Sequence, residues 1–260
     1  MQPFYFGTSD EQLFGVYHTP DADNLRSAAV VLCQPVGHEY LRAHRAFRNL
    51  AVALAEQGFH VLRFDYLGCG DSTGDGERTT VEQCLSDLSA AIDELKDIAG
   101  VGRVALIGLR MGATLAAVIA SRRRDIDRVV LWDPVVDGET YLEALQTLQA
   151  GWLEDRLGPA ALASLSDDEL MGFPLTEGGR RELQALKLIP VPPVRARAVS
   201  LFVSEDLPAY AELRAHLEAA PAAVSYHVVP GAGEWDRVDL AHQILLPHAM
   251  VHAITASIGA

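Results

Sequence analysis

The stretch ALIGLRMGATLA, from Ala105 to Ala116, places two glycines on either side of a residue that could do chemistry. The apolar run before the first glycine and the helix-forming run after the second predict a strand, a sharp turn and a helix. In a turn of this kind, the pattern Gly-x-Ser-x-Gly presents a nucleophilic serine at the start of the helix. Here the middle residue is Arg110. Arginine stays protonated at any working pH, so it can serve neither as nucleophile nor as general base.

The segments around this turn predict an α/β architecture. Apolar runs typical of strands buried on both faces alternate with segments whose apolar residues recur at helical spacing. The helix after the glycine-rich loop LGCGDSTGDGE is expected to begin with a capping box formed by Thr79 and Glu82. The alternation predicts right-handed crossovers and a parallel sheet with helices on both faces.

The alternation of strands and helices stops between Val135 and Pro193. This section contains an amphipathic stretch, a loop-like stretch and the connector IPVPPV, whose prolines exclude a helix. Long insertions in compact domains are often functional. We therefore predict a core domain formed by residues 1–135 and 194–260, with a helical cap or lid formed by residues 136–193.

Composition narrows the classes of partner. The 260 residues carry a formal net charge of −14, with 35 acidic and 21 basic side chains, which argues against nucleic acid and membrane partners. No run reaches the ~18 apolar residues of a membrane-spanning helix, and no secretory signal is visible. The cysteines follow no metal-ligand spacing. We expect a cytoplasmic protein with reduced thiols and with neither metal nor cofactor; a homodimer stays open.

Several motifs together resemble those of the α/β-hydrolase superfamily, over nearly the whole chain. They are the turn GLRMGATLA, the loop LRFDYLGCGDSTG, and VSED followed by VVPGAGEW. The stretch PVGHEYLRAHRAFRNLA is similar to the serine aminopeptidase-like branch and to hydrolase-like proteins found beside exosortase systems or biosynthetic gene clusters. The resemblance implies an α/β-hydrolase fold with an eight-stranded, mostly parallel sheet, helices on both faces and a small helical cap.

The resemblance also assigns the three roles of a catalytic triad to positions of this chain. The nucleophile position is Arg110, the acid position is Asp206, and the best match to the histidine position is Glu234. Two of the three roles are vacant, which predicts a degenerate triad. Loss of one triad member costs about a million-fold in rate, so conventional serine hydrolysis is not expected. A cation at Arg110 would face an anion at Glu234, and Asp206 could join them.

Other residues are candidates for the same edge of the sheet. His38, in QPVGHEY, could donate to an oxyanion or move a proton near neutral pH. Its neighbour Glu39 could pair with Arg42 or with Arg110 itself. The candidates for substrate binding are Met111, Glu39, Tyr40, Asp133 and Trp235.

Three functions are compatible with these residues. The first is a non-hydrolytic enzyme of isomerase, epimerase or lyase type, which holds an anionic small molecule or biosynthetic intermediate at Arg110. Its catalytic candidates are Arg110, Glu234, Asp206 and His38. The second is an inactive pseudo-hydrolase that binds a ligand or a partner protein. The third is an esterase, thioesterase or acyltransferase that uses unconventional residues such as His38 or Cys69.

Overall fold

The computed structural model describes residues 1–164, 166–189, 193–231, 233, 235 and 247–259. Its main feature is an eight-stranded sheet, which confirms the predicted architecture. The strands of this sheet are β1 (Gln2–Gly7), β2 (Gln12–His18), β3 (Ala29–Cys33), β4 (His60–Phe64), β5 (Val104–Leu109), β6 (Ile126–Trp132), β9 (Ala198–Val203) and β10 (Ala223–Val228). Across the sheet they lie in the order β1-β2-β4-β3-β5-β6-β9-β10.

The sheet is antiparallel at one edge and parallel elsewhere. β1 pairs antiparallel with β2, and β2 pairs antiparallel with β4, whereas the neighbours from β4 to β10 are parallel. A parallel strand is covered by helices on both faces, which explains the continuous apolar runs in the sequence. β3, for example, is buried at every residue. The carboxyl ends of the parallel strands meet at one edge, where ligands bind in open α/β sheets.

Helices cover both faces of the sheet, and their bounds are α1 (His38–Glu56), α2 (Val81–Ala99), α3 (Met111–Arg122), α4 (Gly138–Leu157), α5 (Glu177–Ala185), α6 (Pro208–Glu218) and α7 (His248–Gly259). α1 and α7 pack on one face, where the ring of Phe47 stacks on that of Trp132 at a centroid distance of 6.4 Å. α2, α3 and α6 pack on the opposite face. None of the described helices has the length and apolar character needed to cross a membrane.

The start of α2 differs from the sequence expectation by one residue. The N-cap is Thr80, whose hydroxyl accepts a hydrogen bond from the backbone N–H of Gln83 at 3.3 Å. Thr79 instead donates its hydroxyl to the carbonyl of Leu67 at 3.0 Å. The predicted capping box of Thr79 and Glu82 is therefore wrong, because the Thr79 hydroxyl fastens the loop after β4 and the next threonine caps the helix.

The chain between β6 and β9 contains α4, a 3-10 helix (Pro159–Ser164), a hairpin of β7 (Glu169–Leu170) and β8 (Phe173–Pro174), and α5. This is the section predicted as a cap over residues 136–193, and its assignment as a separate domain stays a prediction. α5 contacts the start of α2, where the Glu182 carboxylate accepts a hydrogen bond from the backbone N–H of Glu82 at 3.0 Å.

Candidate functional site

The turn between β5 and α3 is the centre of the candidate site. Arg110 occupies it with a φ of 53°, and α3 begins at the next residue. Both flanking glycines are required by close backbone contacts. A Cβ on Gly108 would lie 2.4 Å from the Gly112 carbonyl oxygen, and a Cβ on Gly112 would lie 2.1 Å from the Cys33 carbonyl oxygen. The strand, turn and helix predicted from the glycine spacing are therefore present, with an arginine at the nucleophile position.

The side chain of Arg110 is held by a buried carboxylate from α1. Its Nε donates to Glu39 Oε1 at 2.9 Å, and Glu39 has a fully buried side chain. The second carboxylate oxygen, Oε2, accepts a hydrogen bond from the Tyr141 hydroxyl of α4 at 2.9 Å. Arg110 Nη1 also donates to the Asp133 carbonyl at 3.3 Å, and its guanidinium lies 5.4 Å from the Tyr141 ring centroid. We call Arg110, Glu39, Tyr141 and Asp133 the polar cluster.

The polar cluster keeps Arg110 charged. Burial by itself would lower the pKa of Arg110, but the Glu39 carboxylate and the tyrosines at positions 141 and 210 raise it, and the net pKa lies above the usual arginine range. A guanidinium in this state cannot accept a proton or attack a substrate. The polar cluster is therefore a largely buried ion pair with an attached tyrosine, and its turn position carries a guanidinium in place of a nucleophilic hydroxyl.

Asp133 follows β6, and its carboxylate binds Ser204 at the end of β9. Oδ1 accepts a hydrogen bond from the Ser204 N–H at 2.7 Å, and Oδ2 accepts one from the Ser204 hydroxyl at 2.6 Å. The indole N–H of Trp235 donates to Oδ2 at 3.3 Å. Burial raises the pKa of Asp133, although the hydrogen bonds from Ser204 act in the opposite direction. Trp235 is thus a buried partner of Asp133.

The expected acid of the triad, Asp206, is not among the described hydrogen-bond partners of Arg110. Asp206 is exposed, and its Oδ1 accepts a hydrogen bond from the Tyr226 hydroxyl at 2.6 Å. Glu234 lies outside the described residues, so the predicted pair between Arg110 and Glu234 stays a prediction. The described carboxylate that binds Arg110 is Glu39, which the sequence left as one of two alternatives.

A cavity of about 300 Å³ lies beside the polar cluster, and Met111 together with other residues of α2 and α3 forms part of its wall. Its walls come from the start of α1, the loop after β4, the start of α2 and the section between β6 and β9, and most of them are apolar. The candidates His38, Tyr40 and Met111 line it together with Leu41, Tyr141 and Leu145. Arg110, Glu39, Asp133 and Trp235 are not among its described lining residues. Tyr141 therefore joins the two regions.

Polar groups at the wall of the cavity form hydrogen bonds with neighbouring side chains. Tyr40 donates its hydroxyl to Asp65 Oδ1 at 3.0 Å, and burial raises the pKa of Tyr40. Cys69 and Cys84 also line the cavity, and burial raises the pKa of both thiols. A thiol with a raised pKa is a poor nucleophile, because the thiolate is the reactive form. Among the described residues, no group of His, Cys, Asp or Glu side chains is arranged to hold a metal ion.

Sequence reasoning missed two residues of the site. Tyr141 lies in the segment assigned to the cap, and only the position of α4 brings its hydroxyl to Glu39. Ser204 lies in the motif VSED, in which the acid of the triad was assigned to Asp206. The structure shows that the hydroxyl and N–H of Ser204 bind Asp133. A serine next to the carboxyl end of a parallel strand was the available signal.

The sheet order, the sharp turn and the covering helices define the α/β-hydrolase class of proteins. The chain belongs to the family described as Hydrolase_4, serine aminopeptidase, S33, whose model matches residues 26–177.

Similar proteins agree with this class. The human protein ABHD12B is 30% identical over an alignment of 150 positions that covers 50% of this chain and 41% of that protein, so the match spans less than half of the relative's length. Est1E from Butyrivibrio proteoclasticus, solved with ferulic acid, has a TM-score of 0.69 at 18% identity over 98% of this chain and 96% of Est1E. Proline iminopeptidase from Mycobacterium smegmatis has a TM-score of 0.61 at 16% identity over 99% of this chain and 100% of that chain. At these identities the two solved structures establish the fold alone.

Proposed function

We propose that this member of the hydrolase family binds an apolar or aromatic small molecule in its cavity and does not hydrolyse through the turn at Arg110. This is the ligand-binding form of the pseudo-hydrolase hypothesis. The observation that carries the proposal is the engagement of Arg110 by the fully buried carboxylate of Glu39 at 2.9 Å, beside a cavity with mostly apolar walls.

The ion pair between Arg110 and Glu39 supports a structural role for Arg110. Removing one partner of a buried ion pair costs about 3–5 kcal/mol, because the other charge is left uncompensated. A substrate anion could bind the guanidinium in the place of Glu39 only if that carboxylate were displaced or protonated. The isomerase, epimerase or lyase hypothesis needs either this displacement or a substrate that reaches the remaining N–H groups of Arg110. Arg110 is not among the described lining residues of the cavity, so the geometry favours this hypothesis less.

The cavity supports an apolar ligand. Pockets that bind small molecules are mostly apolar and carry a few placed polar groups. Here the polar groups at the wall include the Tyr40 hydroxyl, which donates to Asp65, and the Cys69 thiol, which lies 3.4 Å from the Thr79 hydroxyl. Est1E holds ferulic acid, an aromatic acid, on the same fold. The walls of the cavity and this likeness favour a ligand with an aromatic or aliphatic body.

The binding test uses the neutral fluorescent probe N-phenylnaphthylamine. We expect saturable fluorescence enhancement in the wild type and a loss of about tenfold or more in affinity in Leu170→Trp, which narrows the cavity from the hairpin of β7 and β8. Leu207→Trp is the control, because Leu207 is 40% exposed and is not among the described lining residues. Equal binding by both variants would contradict the proposal.

The catalytic half of the proposal is tested with p-nitrophenyl butyrate and with serine- and cysteine-directed probes. We expect no turnover above background and no labelling by the serine probe, in the wild type and in Arg110→Ser alike. The resemblance places the histidine base at position 234, which is Glu234, so the serine variant is expected to gain nothing from the new hydroxyl. Turnover that disappears in His38→Ala or Cys69→Ser would instead support the third hypothesis, an unconventional esterase, thioesterase or acyltransferase.

A further inference from the structure

A group of basic side chains lies where α1 meets the paired strands β2 and β4 of the sheet. Arg45, Arg48 and His44 are exposed on α1, and Arg63 on β4 lies in register with Val16 on β2. Arg63 Nε is 3.2 Å from Nε2 of the buried His18, two residues along β2 on the same face. We call Arg45, Arg48, Arg63, His18 and His44 the basic corner.

The basic corner brings together three arginines, from α1 and β4, that lie outside the ion pairs of the described residues. The described ion pairs involve Arg78, Lys96, Arg103, Arg110, Arg122, Arg123, Arg181, Lys187, Arg197 and Arg214. Arg45, Arg48 and Arg63 take part in none of the pairs that the described residues form. In a chain with a formal net charge of −14, this leaves a local excess of positive charge.

The acidic group near the corner is already engaged. Asp65 Oδ1 accepts hydrogen bonds from Gln34 Nε2 at 3.2 Å and from the Tyr40 hydroxyl at 3.0 Å, and Oδ2 accepts one from the Asp71 N–H at 3.1 Å. Asp65 therefore interacts with Arg63 electrostatically over a distance, and the two residues form no ion pair among the described interactions.

Burial and the arginines of the basic corner lower the pKa values of its two histidines. Burial, together with the charges of Arg63 and Arg48, lowers the pKa of His18 to about 4. Burial also lowers the pKa of His44, with Arg63, Arg45 and Arg48 acting in the same direction and Asp65 in the opposite one. These side chains from two strands and one helix therefore share one electrostatic environment, and both histidines are neutral at pH 7.

We propose that the basic corner is a binding site for a phosphate group. Guanidinium groups present planar pairs of N–H donors that match phosphate oxygens, and several of them around one dianion satisfy its charge. The phosphate can belong to a free anion or to a molecule that also has an apolar part. The second source is suggested by Leu41, which lines the cavity, is 62% exposed and lies one helical turn before Arg45.

The first arm of the test measures inorganic pyrophosphate binding by titration calorimetry at constant ionic strength, since salt screens exposed charges. We expect Arg48→Gln to weaken binding by about tenfold or more, and Arg63→Gln to do the same. Arg48 is exposed, so its variant is expected to stay folded even if Arg63→Gln does not. Arg103→Gln is the control, because Arg103 is equally cationic and exposed but pairs with Asp127 at 3.7 Å. Undetectable binding by the wild type to both pyrophosphate and decyl phosphate, or equal losses in Arg48→Gln and Arg103→Gln, would overturn the proposal.

The second arm compares decyl phosphate with decanol in displacement of the neutral probe from the cavity. If the phosphate is part of an amphiphilic ligand, decyl phosphate displaces the probe at about tenfold lower concentration than decanol, and Arg48→Gln removes that difference. If the ligand is a free anion, the two compounds act alike while pyrophosphate still binds. A cavity that binds no probe would count against the proposed function but would leave the pyrophosphate result intact, so the two failures are distinguishable.

Discussion

The polar cluster and the apolar cavity lie side by side. They differ in that the polar groups of the cluster are bonded to one another, whereas the walls of the cavity surround open space. In the polar cluster, the carboxylate of Glu39 is shared by Arg110 and Tyr141, and the carboxylate of Asp133 is shared by Ser204 and Trp235. In the cavity, apolar walls surround about 300 Å³. The difference teaches that the turn position which carries the nucleophile in this fold here belongs to an internal ion pair, while the open space lies next to it.

The largest effect should come from removing the carboxylate of the polar cluster. Glu39→Leu leaves the guanidinium of Arg110 without its buried partner, and we expect the free energy of unfolding to fall by about 3–5 kcal/mol. Urea denaturation followed by circular dichroism measures it. The double variant Glu39→Leu/Arg110→Met should be more stable than Glu39→Leu alone. A loss below about 1 kcal/mol, which is within the range of exposed ion pairs, would mean that Arg110 finds another partner.

A smaller effect should come from the tyrosine that joins the two regions. Tyr141→Phe removes the hydrogen bond to the Glu39 carboxylate, and bonds to charged groups contribute about 1.5–3 kcal/mol. The same denaturation experiment measures the loss, with Tyr5→Phe as the control because Tyr5 is 53% exposed. If both variants were equally stable, the contact between α4 and the polar cluster would be energetically unimportant.

Truncation of a cavity wall should cost still less. Leu170 is only partly buried and lines the cavity, so Leu170→Ala removes few close-packed contacts, and we expect a loss of about 1 kcal/mol or less. Leu88→Ala, at a fully buried position of α2, should cost about 2–5 kcal/mol. Similar losses in both variants would indicate that the walls of the cavity are packed like the core.

The smallest effect concerns pH. Because burial raises the pKa of Asp133, the folded state holds this proton more tightly than the unfolded state does. Its contribution to stability is then fully present below the unfolded pKa of about 3.9 and is lost as pH rises through the folded pKa. The stability of Asp133→Asn relative to wild type should therefore improve between pH 4 and pH 7, as measured by urea denaturation at each pH. A constant difference would show that the Ser204 hydrogen bonds cancel the effect of burial.

The parts of the fold that depend on local spacing were predictable. The spacing of Gly108 and Gly112 predicted the strand, turn and helix, and the structure shows why both must be glycine: the close backbone contacts leave no room for a Cβ at either position. The choice of partner for Arg110 was not predictable in the same way. Arg110 and Glu39 are 71 residues apart, and their pairing depends on how the start of α1 docks against the turn.

The two aspartates at strand ends illustrate the same limit. Asp133 and Asp206 both follow strands, and the sequence gives no measure of which carboxylate turns inward. At Asp133 the backbone adopts a φ of 41°, and the carboxylate binds Ser204. Asp206 is exposed and binds Tyr226. Both outcomes depend on contacts between strands that are distant in the chain.

The positive φ of 53° at Arg110 has a consequence for how this molecule can be studied. A non-glycine residue in so sparsely populated a conformation costs about 1–3 kcal/mol, and the close backbone contacts at Gly108 and Gly112 constrain the turn on either side of it. Position 110 is therefore an attachment point of fixed direction. A photocrosslinking or infrared-active amino acid installed there together with Glu39→Leu, so that no buried carboxylate is left without its partner, would report from the junction of the two regions.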